Sequence, residues 1–226
     1  QSLFKQLPQL LDGRLEVAYT DSLIATLALF RGSGIDAAPL WLPYDSLVQR
    51  ARNNLVFFAL NRGFDDLLMI DADQTWQAEN ALALIRHPVD VVGGAVRKKT
   101  DDVESYNVKA RSANIPVDIK TGLLMPDALG TGFIRFSRKA LQALWDASEE
   151  YRGDFGPTRM IFDIRVVDGE LVGEDILVGS KHASAGIPVH LDPSFDVGHV
   201  GPKTWRGDFA KWLARLQQPV ATRAAS

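Results

Sequence analysis

Two rhythms of apolar and polar positions run through the first hundred residues. Short apolar runs bounded by turn formers predict buried strands, and longer segments with apolar residues three or four apart predict helices. The segment SLFKQLPQLLDG predicts a short strand and then a turn region at Pro8 and Gly13. Asp21 and Ser22 predict the N-cap of a helix, DSLIATLALFRGSG, which Gly32 and Gly34 stop. PLWLPYD predicts a second short strand, and Asp45 and Ser46 open the next helix, DSLVQRARNNLVFFALNRG, whose Leu47, Val48, Ala51, Leu55, Phe58 and Ala59 keep helical spacing up to Gly63. DDLLMIDAD predicts a third strand, residues 77–86 a helix followed by Pro88, and VDVVGGAV a fourth, fully buried strand. Strand and helix in alternation predict an open α/β sheet, mostly parallel and flanked by helices. Such sheets bind ligands at the carboxyl ends of their strands.

The second half is less regular. RKKTDDVESYNVKARSANIP is polar and predicts a loop or hairpin, GTGFIRFS a strand, and RKALQALWDASEEY a helix. RGDFGPTRM has the composition of a loop able to close over a site. GEDILVGSKHASAG predicts a helix whose first turn carries Glu174 and Asp175, where carboxylates suit the helix dipole. PVHLDP predicts a last strand, followed by SFDVGHVGPKTW, a short amphipathic helix and a tail; the expectation is one domain over 1–218 and a flexible tail over 219–226.

Composition narrows the chemistry. Of the 226 residues 46% are hydrophobic, enough for a sizeable core, and with no cysteine there is neither a disulfide nor a thiolate metal site, as fits a reducing, cytoplasmic setting. His87, His182, His190 and His199 are therefore the only soft ligands. A net charge of −3 gives no global basic field for nucleic acid. No apolar stretch is long enough to span a membrane, and the first residues lack a signal-peptide pattern, so a soluble intracellular protein is expected.

The run LLMIDADQTW carries the most chemical information, because it delivers Asp71 and Asp73 to the end of a buried strand. Period-two alternation would put both carboxylates on one face with Ala72 turned away, a pair of hard oxygen ligands suited to Mg²⁺ or Mn²⁺ carrying a phosphorylated substrate. In the plainer alternative Asp73 caps the following helix and Asp71 is a solvated strand-end charge. Arg50, Arg52 and Asn53 lie on the helix leading to that strand, where a guanidinium can grip phosphate or sugar hydroxyls, one of the two arginines being only a solvated face. Asp45 either caps its helix or meets a nucleotide. Gly130 and Gly132 permit close approach of a ligand to the backbone or are ordinary strand-start glycines.

In the order of these parts the chain resembles a nucleotide-sugar glycosyltransferase of the GT-A (Rossmann-like) fold. The resemblance rests on RARNN before the acidic strand, the acidic MIDAD, the GTGF strand, and GEDILVGSKHASAGIPVHLDPSFDVGHVG. The helix before the acidic strand is also similar to that of fungal mannan-polymerase subunits, and phage-encoded and bacterial family-2-like enzymes share the layout. The resemblance implies a metal-dependent transfer of a sugar from a UDP- or GDP-sugar to a hydroxyl acceptor on a glycan, a protein or a modified DNA base. It implies Asp71, Asp73 and His199 as ligands of Mn²⁺ or Mg²⁺. It implies Arg52, Asn53, Asp71, Ala72, Asp73, Pro8 and Gly132 against the donor, and Asp175, with Glu174 as alternative, as the base that deprotonates the acceptor. The basic runs Arg97-Lys98-Lys99 and Lys109 to Arg111 would meet an acidic acceptor or are a solvated loop. His87, His182 and His190 receive no role.

Two rivals remain. DADQT matches the DxDxT signature of haloacid-dehalogenase-like phosphatases, with Asp71 as nucleophile and Asp73 as general acid/base, but the motif lies far into the chain and GEDILVGSK lacks that family's paired aspartates. The second is a nucleotide or glycan binder without catalysis. Dinucleotide and P-loop fingerprints are absent.

Overall fold

The computed structural model describes residues 9–10, 15–40, 42–43 and 45–218. Pro8, Gly13 and the tail from 219 lie outside the described residues. Gln9–Leu10 (β1) pairs in parallel with Leu42–Pro43 (β2). Between them runs helix α1, Val17–Gly32, which starts a turn before the expected cap at Asp21 and Ser22. Ser22 is not a cap because it is buried: its hydroxyl meets Thr75 Oγ1 at 3.0 Å and accepts from the Trp76 amide at 3.1 Å, while Thr26 one turn on accepts from Trp76 Nε1 at 2.9 Å. Polar residues on an inward helix face thus satisfy a neighbouring strand.

Helix α2, Val48–Asn61, follows; Asp45 accepts from the Leu47 amide at 3.0 Å and pairs with Arg50 at 2.8 Å. Next come β3 (Asp66–Ile70), β4 (Gln74–Trp76), α3 (Ala78–Arg86) and β5 (Val91–Gly94). After an excursion in which Val108–Lys109 (β6) pairs with Ala128–Leu129 (β7), the chain enters β8 (Phe133–Ser137) and α4 (Arg138–Asp146), where the Ser137 hydroxyl accepts from the Ala140 amide. The expected helix over 138–151 is shorter, because Glu150–Gly153 (β9) turns back on Gly156–Arg159 (β10) as an antiparallel hairpin. That hairpin occupies the segment expected as a closing loop. A second hairpin joins Arg165–Val167 (β11) to Glu170–Val172 (β12) through Asp168 and Gly169, both at positive φ as a tight two-residue turn demands. Helix α5 (Glu174–Ser184), β13 (His190–Asp192), β14 (Val197–Val200), β15 (Thr204–Trp205) and α6 (Phe209–Gln217) complete the order.

The central sheet has the order β13-β5-β8-β3 and is mixed, not mostly parallel. β13 runs parallel to β5, whereas β8 lies between β5 and β3, antiparallel to both. The segment over 95–132 that joins β5 to β8 contains no helix, and β8 returns antiparallel to β5. Alternate residues of β3 serve both faces: Leu67 and Met69 pack with α2, α4 and α5, and Leu68 and Ile70 with α1 and α3. A smaller antiparallel sheet, β15-β14-β4, stands at the carboxyl end of β3. Among the described residues no helix is long and apolar enough to cross a membrane.

Candidate functional site

β3 ends at Ile70, before the acidic pair. Asp71, Ala72, Asp73 and Gln74 form a turn closed by the Gln74 amide on the Asp71 carbonyl at 3.0 Å. The expected period-two strand geometry therefore does not apply, and the two carboxylates take different partners. The turn is anchored on both sides, by the Asp71 amide on Gly132 O at 3.0 Å and the Val200 amide on Asp73 O at 2.7 Å.

Pairing of β4 with β14 brings Gln74 opposite His199 and sets the imidazole beside Asp73, 126 residues away in sequence. His199 Nδ1 lies 2.8 Å from the Arg97 carbonyl, an acceptor only, so Nδ1 carries a proton. His199 Nε2 then faces Asp73 Oδ2 at 3.2 Å, a contact that is attractive only with a proton on Nε2 or a cation shared by the two atoms. Lys99 Nζ donates to the same oxygen at 2.7 Å. Burial opposes ionisation of Asp73, but the bonds from His199 and Lys99 outweigh it and hold its pKa at about 2.

Asp71 turns the other way. Its Oδ1 accepts from Arg52 Nη2 at 2.8 Å, and Nη1 of the same buried guanidinium donates to Glu174 at the start of α5. Desolvation of Arg52 is overcome by these two carboxylates, which keep it charged. Arg52, expected on the donor phosphates, is thus the strut between the acidic turn and α5. Asn53, expected beside it on the donor, is 1% exposed and bound chiefly to main chain: its Oδ1 accepts from the Ile161 and Phe162 amides at 3.0 and 2.8 Å, and its Nδ2 donates to Phe162 O at 2.9 Å and to Met160 Sδ at 3.6 Å. Arg50 is the solvated partner of Asp45.

With Glu174 engaged by Arg52, Asp175 is the acid presented differently. Its Oδ2 accepts from Asn107 Nδ2 at 2.5 Å and its Oδ1 from the Ile176 amide at 2.8 Å. Gly130 makes room for this arrangement, since a Cβ there would sit 2.2 Å from Asn107 Nδ2. A Cβ at Gly132 would sit 3.0 Å from Asp71 Oδ2. Asp71, Gln74, Asn107, Gly132 and His199 line a cavity of about 170 Å³, together with Val96, Arg97 and Lys98. Gln74 is 1% exposed, its Nε2 donates to Asp73 Oδ1 at 3.3 Å, and its Oε1 has no hydrogen-bond partner.

Of the three expected metal ligands the structure joins Asp73 and His199 and leaves Asp71 on Arg52. Among the described residues no group of three or more His, Cys, Asp or Glu side chains is arranged to hold a metal. The pair nevertheless fits one. Adjacent ligands of an octahedral Mg²⁺ or Mn²⁺ stand roughly 3 Å apart, and such ions are held by one or two protein groups, the remaining positions going to phosphate and water. The carbonyl behind His199 also fixes the ring as a ligating imidazole requires. Ala72 is half-buried in the turn, and Pro8 lies outside the described residues.

Three contributors carry roles that the sequence did not assign. Arg97 through its carbonyl, Lys99 and Asn107 all come from the polar excursion after β5, which folds back through Lys98 N to Ser105 O at 2.8 Å and Asn107 N to Val96 O at 3.0 Å. Of the basic run expected either to meet an acceptor or to be a solvated loop, Lys99 is turned onto the acidic turn. The unassigned histidines serve the framework: His87 pairs with Asp192 at 2.9 Å, His190 bonds Val91 O at 3.2 Å, and His182 stacks on Phe136.

No protein-family model matches the chain, and neither does any curated protein. Among solved structures, the crystal structure of a glycosyltransferase involved in the glycosylation of the major capsid of PBCV-1 aligns at 9% identity over 61% of each chain with a TM-score of 0.35. Mannose-1-phosphate geranyltransferase from Thermus thermophilus aligns at 10% identity over 100% of each chain with a TM-score of 0.38. Overlaps of that quality carry no argument. A197 from STIV aligns at 16% identity over 88% of this chain and 86% of that one, with a TM-score of 0.51. With A197 the chain shares its overall fold.

Proposed function

We propose that the protein is a metal-dependent glycosyltransferase of the GT-A type, which moves a sugar from a UDP- or GDP-sugar to a hydroxyl acceptor. The observation that carries this reading is the opposition of Asp73 Oδ2 and His199 Nε2 at 3.2 Å beside the cavity at the carboxyl end of β3. A divalent cation held there would neutralise the charge that develops on the departing diphosphate. Asp175 removes the proton of the acceptor hydroxyl, and Asn107 aims it. Glu174 and Asp71 are positioned through Arg52, which locks the acidic turn to α5, and Asn53 braces α2, the helix that carries Arg52, against residues 161–162.

Calorimetric titration of UDP, GDP and their sugar conjugates, with and without Mn²⁺, tests the reading on the wild type and on Asp73→Asn. Cation-dependent binding of one nucleotide, lost in the variant, is expected. Absence of binding in every combination would defeat the proposal, and turnover of a generic phosphate ester would put the phosphatase in its place.

A further inference from the structure

The Lys99 side chain, on the acidic turn beside the cavity, is at odds with a cation on Asp73. Its ammonium lies 2.7 Å from Asp73 Oδ2, the same oxygen that faces His199. An ammonium and a divalent ion cannot share that oxygen at little cost, because both are cations within a few ångströms of each other. Lys99 is also the group best able to leave. Its ammonium rides on a flexible four-carbon stem, its side chain is 33% exposed, and the backbone beside it is fixed by the Arg97 carbonyl on His199 and the Lys98 amide on Ser105. Lys99 directly follows Arg97 and Lys98, which line the cavity, so an ammonium released from Asp73 stays tethered beside it.

We propose that Lys99 occupies Asp73 in place of a divalent cation in the free protein, and hands that oxygen over when a cation and a diphosphate arrive together, taking the diphosphate as its new partner. This rests on the transferase reading and adds a regulation to it. Cation alone must expel an ammonium that then has no counter-ion, and diphosphate alone must take Lys99 from a carboxylate left with only His199 and the Gln74 side-chain amide. Only the two ligands together satisfy every charge, so each raises the affinity for the other. The site is thereby kept from filling with cation when no donor is present.

Binding of Mn²⁺ alone, of UDP and GDP alone, and of each nucleotide at saturating Mn²⁺ should be measured by calorimetry on the wild type, Lys99→Met, Lys99→Arg and Asp73→Asn. Lys99→Met is expected to bind Mn²⁺ alone about fivefold tighter than the wild type, the worth of a half-exposed ion pair, and to bind the nucleotide with Mn²⁺ at least about fivefold weaker. Lys99→Arg keeps the charge and should stay near the wild type in both. If Lys99→Met binds Mn²⁺ no tighter while the wild type binds Mn²⁺ with nucleotide and Asp73→Asn does not, the substitution by Lys99 is refuted and the transferase reading stands. Tighter Mn²⁺ with unchanged nucleotide affinity would refute the hand-over to phosphate. A wild type that binds neither Mn²⁺ nor nucleotide would overturn both readings.

Discussion

His182 should make the protein acid-labile at the helix that presents its candidate base. It lies on α5, is 1% exposed, stacks on Phe136 at 5.6 Å and 12°, and has no hydrogen-bond partner on either ring nitrogen. Burial alone pushes its pKa from 6.5 down to about 4. Below about pH 6.5 the unfolded chain takes up a proton that the native chain refuses until near pH 4, so the unfolded state binds more protons and stability falls with pH across that window. The slope inside it gives a loss of about 1 kcal/mol at about pH 5.5 and about 2–3 kcal/mol at about pH 4.5, relative to about pH 7.5. His182→Leu keeps an apolar side chain against Phe136 and removes the titration. Urea unfolding of both proteins at these pH values isolates the effect, because titrations common to both cancel in the difference. The stability of the wild type relative to the variant should fall by those amounts. A difference that stays constant across the range would refute the burial argument. Since Glu174 and Asp175 form the first turn of the same helix, loss of binding at low pH should be milder in His182→Leu.

Four further outcomes are expected. Asn107→Ala and Gly130→Ala should each lower the rate of transfer by roughly ten- to a hundredfold, the worth of a charge-assisted hydrogen bond, and the double variant should be no slower than either, since both act through the bond to Asp175; additive losses in a mutant cycle would separate them. Gly179→Ala would place a Cβ 2.5 Å from Ala128 Cβ and 3.0 Å from Asp127 O, so α5 must shift off β7. The cost should be about 1–3 kcal/mol, seen as a melting temperature lower by several degrees and not as a change in metal affinity. Asn53→Ala leaves the Ile161 and Phe162 amides and the Phe162 carbonyl without their partner and should cost about 3 kcal/mol in chemical unfolding, whereas a donor-binding role would instead weaken nucleotide binding at unchanged stability. Arg52→Met leaves Glu174 and Asp71 unpaired and should destabilise by about 3 kcal/mol, with Arg52→Met/Glu174→Gln recovering part of it in the same assay.

Much of the framework was legible because it depends on local pattern. The apolar runs of β3 and β5 and the spacing of α2 follow from the burial of one stripe or of both strand faces. The acidic first turn of α5 follows from the dipole at a helix start. Even the position of the acidic residues at the end of β3 could be read, since polar residues directly after a buried strand must stand at a sheet edge. Where local pattern misled, a tertiary contact had overruled it. Ser22 has the chemistry of a cap but was needed by Trp76 and Thr75, fifty-odd residues on. Asn53 has the chemistry of a ligand but was needed by the main chain at 161–162.

The antiparallel entry of β8, the turn in place of a strand at Asp71–Gln74, and the meeting of Asp73 with His199 and Lys99 were decided by the tertiary structure. Each of these joins segments whose separation along the chain leaves no periodicity to read. The sequence by itself determined which residues must be buried and which acids would stand at the sheet's edge. Which partner each acid takes was decided only when packing of the excursion after β5, of α2 and of β14 brought distant charges to one place, because a charge's partner is set by proximity in space and burial, neither of which spacing along the chain encodes.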